Sequence, residues 1–277
     1  MNLSGAARTL PLALSSLLVV TACVVPAFSP PRTRVAEISR LVVVAVEPPP
    51  LLVTDVGARD SASIFLTAAP VAVVSPVAGA ALILLGTVVM MMENAPPGLP
   101  RVEPAKLEEL LTKGLVWSPT RELAEEATAQ LRSSTSGRMV TASPTYRMLP
   151  VENRDKTWHM ENWLRPIRAW YAEETAGTDL QVETGTDTLL EISLLNYEWH
   201  THRFVVQVMM RLVDVRTGRV IGRTRDWAYP EVGRAAELLA NDSAALKTVF
   251  VKTARPLVAT GLKELGLATG TPASAPR

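Results

Sequence analysis

Residues 203–215, RFVVQVMMRLVDV, decide the fold class. Phe204, Val206, Val208, Met210 and Leu212 fall on one side of an extended chain, and Gln207 and Arg211 fall on the other. That is the period of a sheet covered on one face. Upstream, TDTLLEISLLNYEW (186–199) is equally strand-like, and downstream RVIGRTRDWAY (219–229) follows Arg216, Thr217 and Gly218. Glycine there supplies the left-handed position that a tight hairpin needs. The three segments predict an antiparallel meander.

Helices flank it. Ser118 followed by Pro119 reads as an N-cap with proline at the first helical position, and Leu123, Ala127 and Leu131 continue at helical spacing until SSTSG stops the run. MENWLRPIRAWYAEE (160–174) places Trp163, Ile167, Trp170 and Tyr171 near one stripe. A shorter helix is predicted over 104–114, ending at Gly114. Asn241, Asp242 and Ser243 look like caps opening a last helix, with Leu246, Phe250, Leu257, Val258, Leu262 and Leu265 on one side and Pro256 expected to kink or break it. RLVVVAVEPPP (40–50) is a buried first strand closed by prolines, and GRMVTASPTY (137–146) supplies another.

The predicted order is strand, insertion, helix, strand, helix, three strands, helix. It implies an α/β (α+β) two-layer sandwich: a mixed sheet with a carboxy-terminal antiparallel meander, flanking helices and an apolar helical insertion after the first strand. LLEISLLNYEW followed by VMMRLVDVRTGRVIGRTR and a terminal helix resembles the conserved half of periplasmic lipoproteins related to the curli secretion-pore lipoprotein. Their small domain is in turn similar to the amino-terminal domain of the Tol-system propeller protein. The resemblance spans residues 39–50 and 118–265. It implies an accessory subunit of an envelope export or surface-structure assembly, acting by binding and not by catalysis.

The amino terminus has the three parts of a secretory signal: an n-region with Arg8, an apolar h-region from Leu10 to Val20, and the small residues Thr21 and Ala22 before Cys23. That run is short for a transmembrane helix, which needs about 20 apolar residues. VTAC (20–23) resembles the lipobox of bacterial lipoproteins, in which the cysteine is acylated and becomes the first mature residue. With Val24 and no Asp after the cysteine, the resemblance implies the outer membrane, with the domain lipid-anchored on the periplasmic side. The competing reading of Cys23 is a buried, inert thiol. Against it, a single cysteine in an exported chain has no intramolecular disulfide partner.

The expected organisation is a signal peptide over 1–22, a Pro-rich extended tether over 23–38, an α/β domain over 39–265 and a disordered tail over 266–277. At 48% apolar, 277 residues suffice for one sizeable core. The chain has 28 basic and 27 acidic residues, and losing Arg8 with the signal makes them equal. No basic field argues for nucleic acid.

Residues 61–92 carry no charge and include VAVVSPVAGAALILLGTVVMMM. A helix over 77–92 is only about 24 Å long, short of a hydrocarbon core of about 30 Å. Three readings stand: a transmembrane helix in a single-pass protein, a buried core helix, or a helical hairpin lying on the bilayer or between subunits of a homo-oligomer. The last is preferred. Val77, Ala80, Leu82, Ile83, Leu84, Leu85, Val88 and Val89 are then the membrane or oligomer contacts. The stretch does not alternate as a pore-forming strand does.

Histidines 200 and 202 share one face of a strand, a spacing able to bind a metal, with His159 or Glu198 as a third ligand. A metal-binding protein or metalloenzyme using His200 and His202 is the alternative reading. Two exposed histidines at a strand end is the simpler one. No nucleophile elbow, phosphate loop or dinucleotide turn is present, so no cofactor and no catalytic centre are expected. Most of the six tryptophans are expected in the core, with Trp158 beside His159 the exposed pair for an envelope protein partner.

Overall fold

A computed structural model describes residues 25–54, 63–66, 117–134, 137–152, 160–176, 185–200, 203–233 and 235–268. Among them the chain forms β1 (Arg40–Ala45), β2 (Leu51–Thr54), β3 (Ser63–Leu66), β4 (Met139–Ala142), β5 (Thr188–His200), β6 (Arg203–Asp214) and β7 (Arg219–Ala228). The helices are α1 (Arg32–Ala36), α2 (Pro119–Ser134), α3 (Met160–Ala172) and α4 (Ala235–Glu264). The result is the expected α/β sandwich on one mixed sheet.

Strand β5 is the axis. One edge pairs in parallel first with β1, from Leu41↔Thr188 to Ala45↔Ile192, and then with β2, from Leu52↔Glu198 to Thr54↔His200. The other edge carries the antiparallel meander β5–β6–β7. Prolines 48–50 lack the N–H a ladder needs, so β1 stops and β2 resumes further along the same long strand. Strand β4 lies parallel outside β1, and β3 lies antiparallel outside β2. Residues 63–66 are therefore strand, where the sequence suggested the start of a helical insertion; the remainder of 61–92 and the predicted helix over 104–114 lie outside the described residues.

One face of the sheet packs on α2 and α4. Leu41, Val43, Leu190, Ile192, Leu194, Phe204, Val206, Val208, Met210 and Leu212 meet Leu123, Ala127, Leu131, Leu246, Phe250, Val258 and Leu262. Phe250 centres the contact, with ring centroids 5.5 Å from Trp117 and 5.6 Å from Tyr197. A bulge sets Leu195 and Asn196 against the single residue Gln207. Because two residues there oppose one, Tyr197 and Trp199 turn onto the same face as Leu194. The alternation in β6 predicts a wet reverse face, and here the structure differs: α3 covers it, and Gln207, Met209, Arg211 and Val213 are all buried.

Two helix-boundary expectations change. Helix α4 begins at Ala235, and Asn241, Asp242 and Ser243 lie inside it with φ of +51°, +55° and +60°. Short polar side chains tolerate this left-handed region best, so the capping signal marks a break in the helix and not its start. Pro256 does not end α4, because Phe250 and Ala254 before it and Leu257, Val258 and Leu262 after it all pack in the core. That burial outweighs a proline cost of about 3 kcal/mol. The helix ends at Gly266 (φ +67°), where Leu267 N–H donates to Leu262 O and Gly266 N–H to Lys263 O, a double-bonded glycine cap. Leu267 is buried, so the predicted tail does not start before residue 269.

The Pro-rich segment is corrected too. Phe28 exchanges two backbone hydrogen bonds of 2.9 Å with Arg223 on the outer edge of β7, α1 follows, and Val35 and Ile38 are buried. Residues 25–38 are thus a strap docked on the domain. Pro30 sits so close to Gly222 that a Cβ there would lie 2.7 Å from Pro30 Cδ and 3.0 Å from Leu265 Cδ2. Gly222→Val should therefore destabilise the fold by about 1–3 kcal/mol, read as a lower midpoint in urea. An unchanged midpoint would show that the strap does not press on β7.

Candidate functional site

Across the reverse face runs a row set by strand register: Glu191 of β5 opposite Arg211 of β6, Arg211 opposite Arg223 of β7, and Arg223 opposite Phe28 of the strap. Neighbours in such a row have Cβ atoms about 5 Å apart. Glu191 and Arg211 are fully buried. Arg211 Nε donates to Glu191 Oε2 at 2.5 Å, Trp170 Nε1 donates to the same oxygen at 3.2 Å, and Arg147 Nη1 donates to Oε1 at 2.9 Å.

The two arginines close the end of α3. Arg211 Nη1 donates to Trp170 O, and Arg223 Nη1 donates to Tyr171 O at 2.8 Å and Ala172 O at 3.1 Å. The last carbonyls of a helix have no intrahelical donors and carry its negative dipole end. They serve the cations as a second counter-charge beside Glu191. The Arg211 guanidinium lies 4.8 Å from the Trp170 ring centroid, and that of Arg223 lies 5.0 Å from Phe28 and 5.8 Å from Tyr171. Burial pulls Arg223 below the usual arginine range and pushes the Tyr171 phenol up. Tyr171 Oη, Arg211 Nη2 and Arg223 Nε are buried with no hydrogen-bond partner among the described residues. Chemically the cluster is a joint: its carboxylate accepts from three donors on three different segments of the chain.

At the other end of the meander a shallow cleft of about 280 Å³ is lined by Arg34, Glu37, Thr186, Asp187, Asp214 and Arg216. Arg34 links α1 to Asp214 at 3.5 Å. Asp187 Oδ2 accepts from Ser39 Oγ at 2.5 Å, from Arg40 N at 2.8 Å and from Ser39 N at 3.1 Å. The Ser39 hydroxyl first, and then the Arg40 amide, hold the Asp187 carboxyl below its usual range. This contact pins the start of β1 to the start of β5. The cleft presents both signs of charge.

Of the residues singled out from sequence, Cys23, the insertion contacts Val77 to Val89, Trp158, His159 and His202 lie outside the described residues. His200 ends β5 opposite Arg203. Among the described residues no three of His, Cys, Asp or Glu are grouped to hold a metal, and no helix is long and apolar enough to cross a membrane. Trp117, Trp163, Trp170 and Trp199 are buried, as expected for most tryptophans. Sequence reasoning missed Trp227 and Tyr229, which are 53% and 59% exposed. The available signal was their place at a strand end beside Pro230, after the charged pair Arg225 and Asp226.

No protein-family model matches the sequence, and no curated protein matches it. Among solved structures the chain is similar to the PelC dodecamer from Paraburkholderia phytofirmans in two crystal forms. One has 12% identity, 88% of this chain and 96% of that chain covered, and a TM-score of 0.36. The other has 11% identity, 87% and 95% covered, and a TM-score of 0.35. It is also similar to a Xanthomonas campestris protein of family DUF330, at 10% identity, 87% and 92% covered, and a TM-score of 0.36. At these scores nothing is carried from those proteins to this one.

Glu191→Leu leaves Arg211 buried without its carboxylate and should cost about 3–5 kcal/mol, whereas Glu191→Leu with Arg211→Met should recover much of the loss. Urea unfolding of both variants reads this; equal losses would show that the pair does not act as a unit. Asp187→Asn tests the cleft. The depressed carboxyl contributes stability above its unfolded value near 4, and that stability is lost as pH falls through the folded value. The variant should be less stable than the parent at pH 7 and converge with it towards pH 2. Parallel pH–stability curves would refute the assignment.

Proposed function

We propose that this chain is an outer-membrane lipoprotein, held by acyl chains on Cys23, whose periplasmic α/β domain is a non-catalytic binding or assembly subunit of an envelope export or surface-structure system. The observation that carries the reading is VTAC at the end of an apolar h-region, with the only cysteine of the chain at its last position. Several acyl chains, each worth about 0.8 kcal/mol per buried CH₂, hold a protein on a bilayer far longer than one chain does. Glu191 and Asp187 spend their contacts on anchoring strands and a helix, a structural use. The apolar stretch over 77–89 is assigned to contact with the bilayer or a second copy.

Replacement of Cys23 is the test. Cys23→Ala should abolish acylation in intact-mass spectra and move the protein from the outer-membrane fraction to the soluble or inner-membrane fraction, a change of tenfold or more. A variant that still fractionates with the outer membrane, or a parent whose mature chain begins elsewhere, would refute the reading.

A further inference from the structure

We infer that the end of the sheet carrying the last residues of β7, Trp227 and Tyr229 beyond them, is held against the lipid surface, with the strap acting as a short staple. The inference rests on the acylation of Cys23 proposed above and adds to it an orientation and a contact surface.

Chain length comes first. A free tether from Cys23 to Ser39 would reach about 50 Å at full extension and let the domain stand clear of the bilayer. The structure removes almost all of that reach. Val25 packs against the cluster of Trp163, Ile167, Trp170, Tyr171 and Met209 on the α3 face. Phe28 is bonded to Arg223 on both sides, and Pro30 is buried against Gly222. Only two residue steps separate Cys23 from Val25, at most about 7 Å of chain. The surface around Val25 therefore lies within that distance, plus one side chain, of the acylated sulfur.

Direction comes second. Phe28 pairs with Arg223 in the antiparallel sense, so the chain followed back towards Cys23 heads along β7 towards Ala228. Trp227 and Tyr229 stand at that end. Trp227 is opposite Gln207 in the β6–β7 register, and Arg225 is opposite Met209. Trp227 thus shares the face of the sheet on which Met209 and Val25 pack. Both aromatic rings are more than half exposed, and tryptophan and tyrosine are the residues suited to the headgroup boundary of a bilayer. Among the described residues at this end Arg203 and Arg225 stand beside Glu198, Asp226 and Glu231, so no positive field draws it to an anionic bilayer and the contact is made by apolar rings. The turn at Arg216 is about 30 Å away along β7.

The sole cysteine is acylated in this reading, so an introduced thiol is the only reactive one. Tyr229→Cys and Arg216→Cys are each labelled with a thiol-reactive fluorophore. Both are reconstituted as full-length acylated protein into vesicles of phosphatidylethanolamine and phosphatidylglycerol containing nitroxide-labelled lipid. The label at 229 should be quenched at least threefold more than the label at 216, at low and at high salt alike. Inserting twelve Gly/Ser residues between Val24 and Val25 should bring the ratio close to one with acylation unchanged. Equal quenching at 229 and 216 in protein whose mass shows an acylated Cys23 would overturn the orientation while leaving the anchor intact. A ratio unaffected by the insert would overturn the staple. A mass spectrum with an unmodified Cys23 would instead bring down the anchor and, with it, this inference.

Discussion

The reverse face of the sheet depends on one buried ion pair, Glu191 with Arg211. A guanidinium taken fully out of water costs several kcal/mol unless its donors and charge are met. Here the charge is met by a carboxylate one strand away, and Nε and Nη1 find acceptors there and at the carbonyl end of α3, while Nη2 has no partner among the described residues. The same atoms dock the helix. Trp170 donates its indole proton to Glu191 and lends its carbonyl and its ring to Arg211. Trp170 thus ties helix α3 to the ion pair by three contacts, beside the apolar packing of Trp163, Ile167 and Tyr171. Arg223 extends the arrangement to β7 and, through Phe28, to the strap.

This joint explains why the two faces of one sheet are built differently. The face towards α2 and α4 is a continuous apolar core with Phe250 at its centre, and its strength comes from area removed from water. The α3 face mixes tryptophan, arginine and glutamate, so its strength depends on the Glu191–Arg211 pair and the helix-end carbonyls that its cations engage. A loss on the first face leaves a cavity; a loss on the second leaves an unpaired charge.

The strap joins this architecture to the proposed role. It closes part of the outer edge of β7, an exposed template for unwanted pairing when left bare, and Thr175 bridges Arg219 further along the same edge. A segment that protects an edge and also leads towards Cys23 would, under the proposed acylation, tie membrane attachment to the fold itself. Under that proposal the domain would be presented in one orientation.

The residues by themselves determined the order of elements from α2 onward, the core face of β6, the packing stripe of α3 and the meander, because these signals are local: side-chain period, turn glycine and proline position. Tertiary structure alone decided the rest. Arg211 and Gln207 look solvated in a one-sided strand, and only the arrival of α3 and of Glu191 from twenty residues away makes their burial tolerable. The docking of 25–38 and the continuity of α4 through Pro256 likewise depend on partners far along the chain. Local propensity disfavours ordering a proline-rich segment and keeping a proline inside a helix. Burial against a distant surface, unseen in any short window of sequence, reverses the balance.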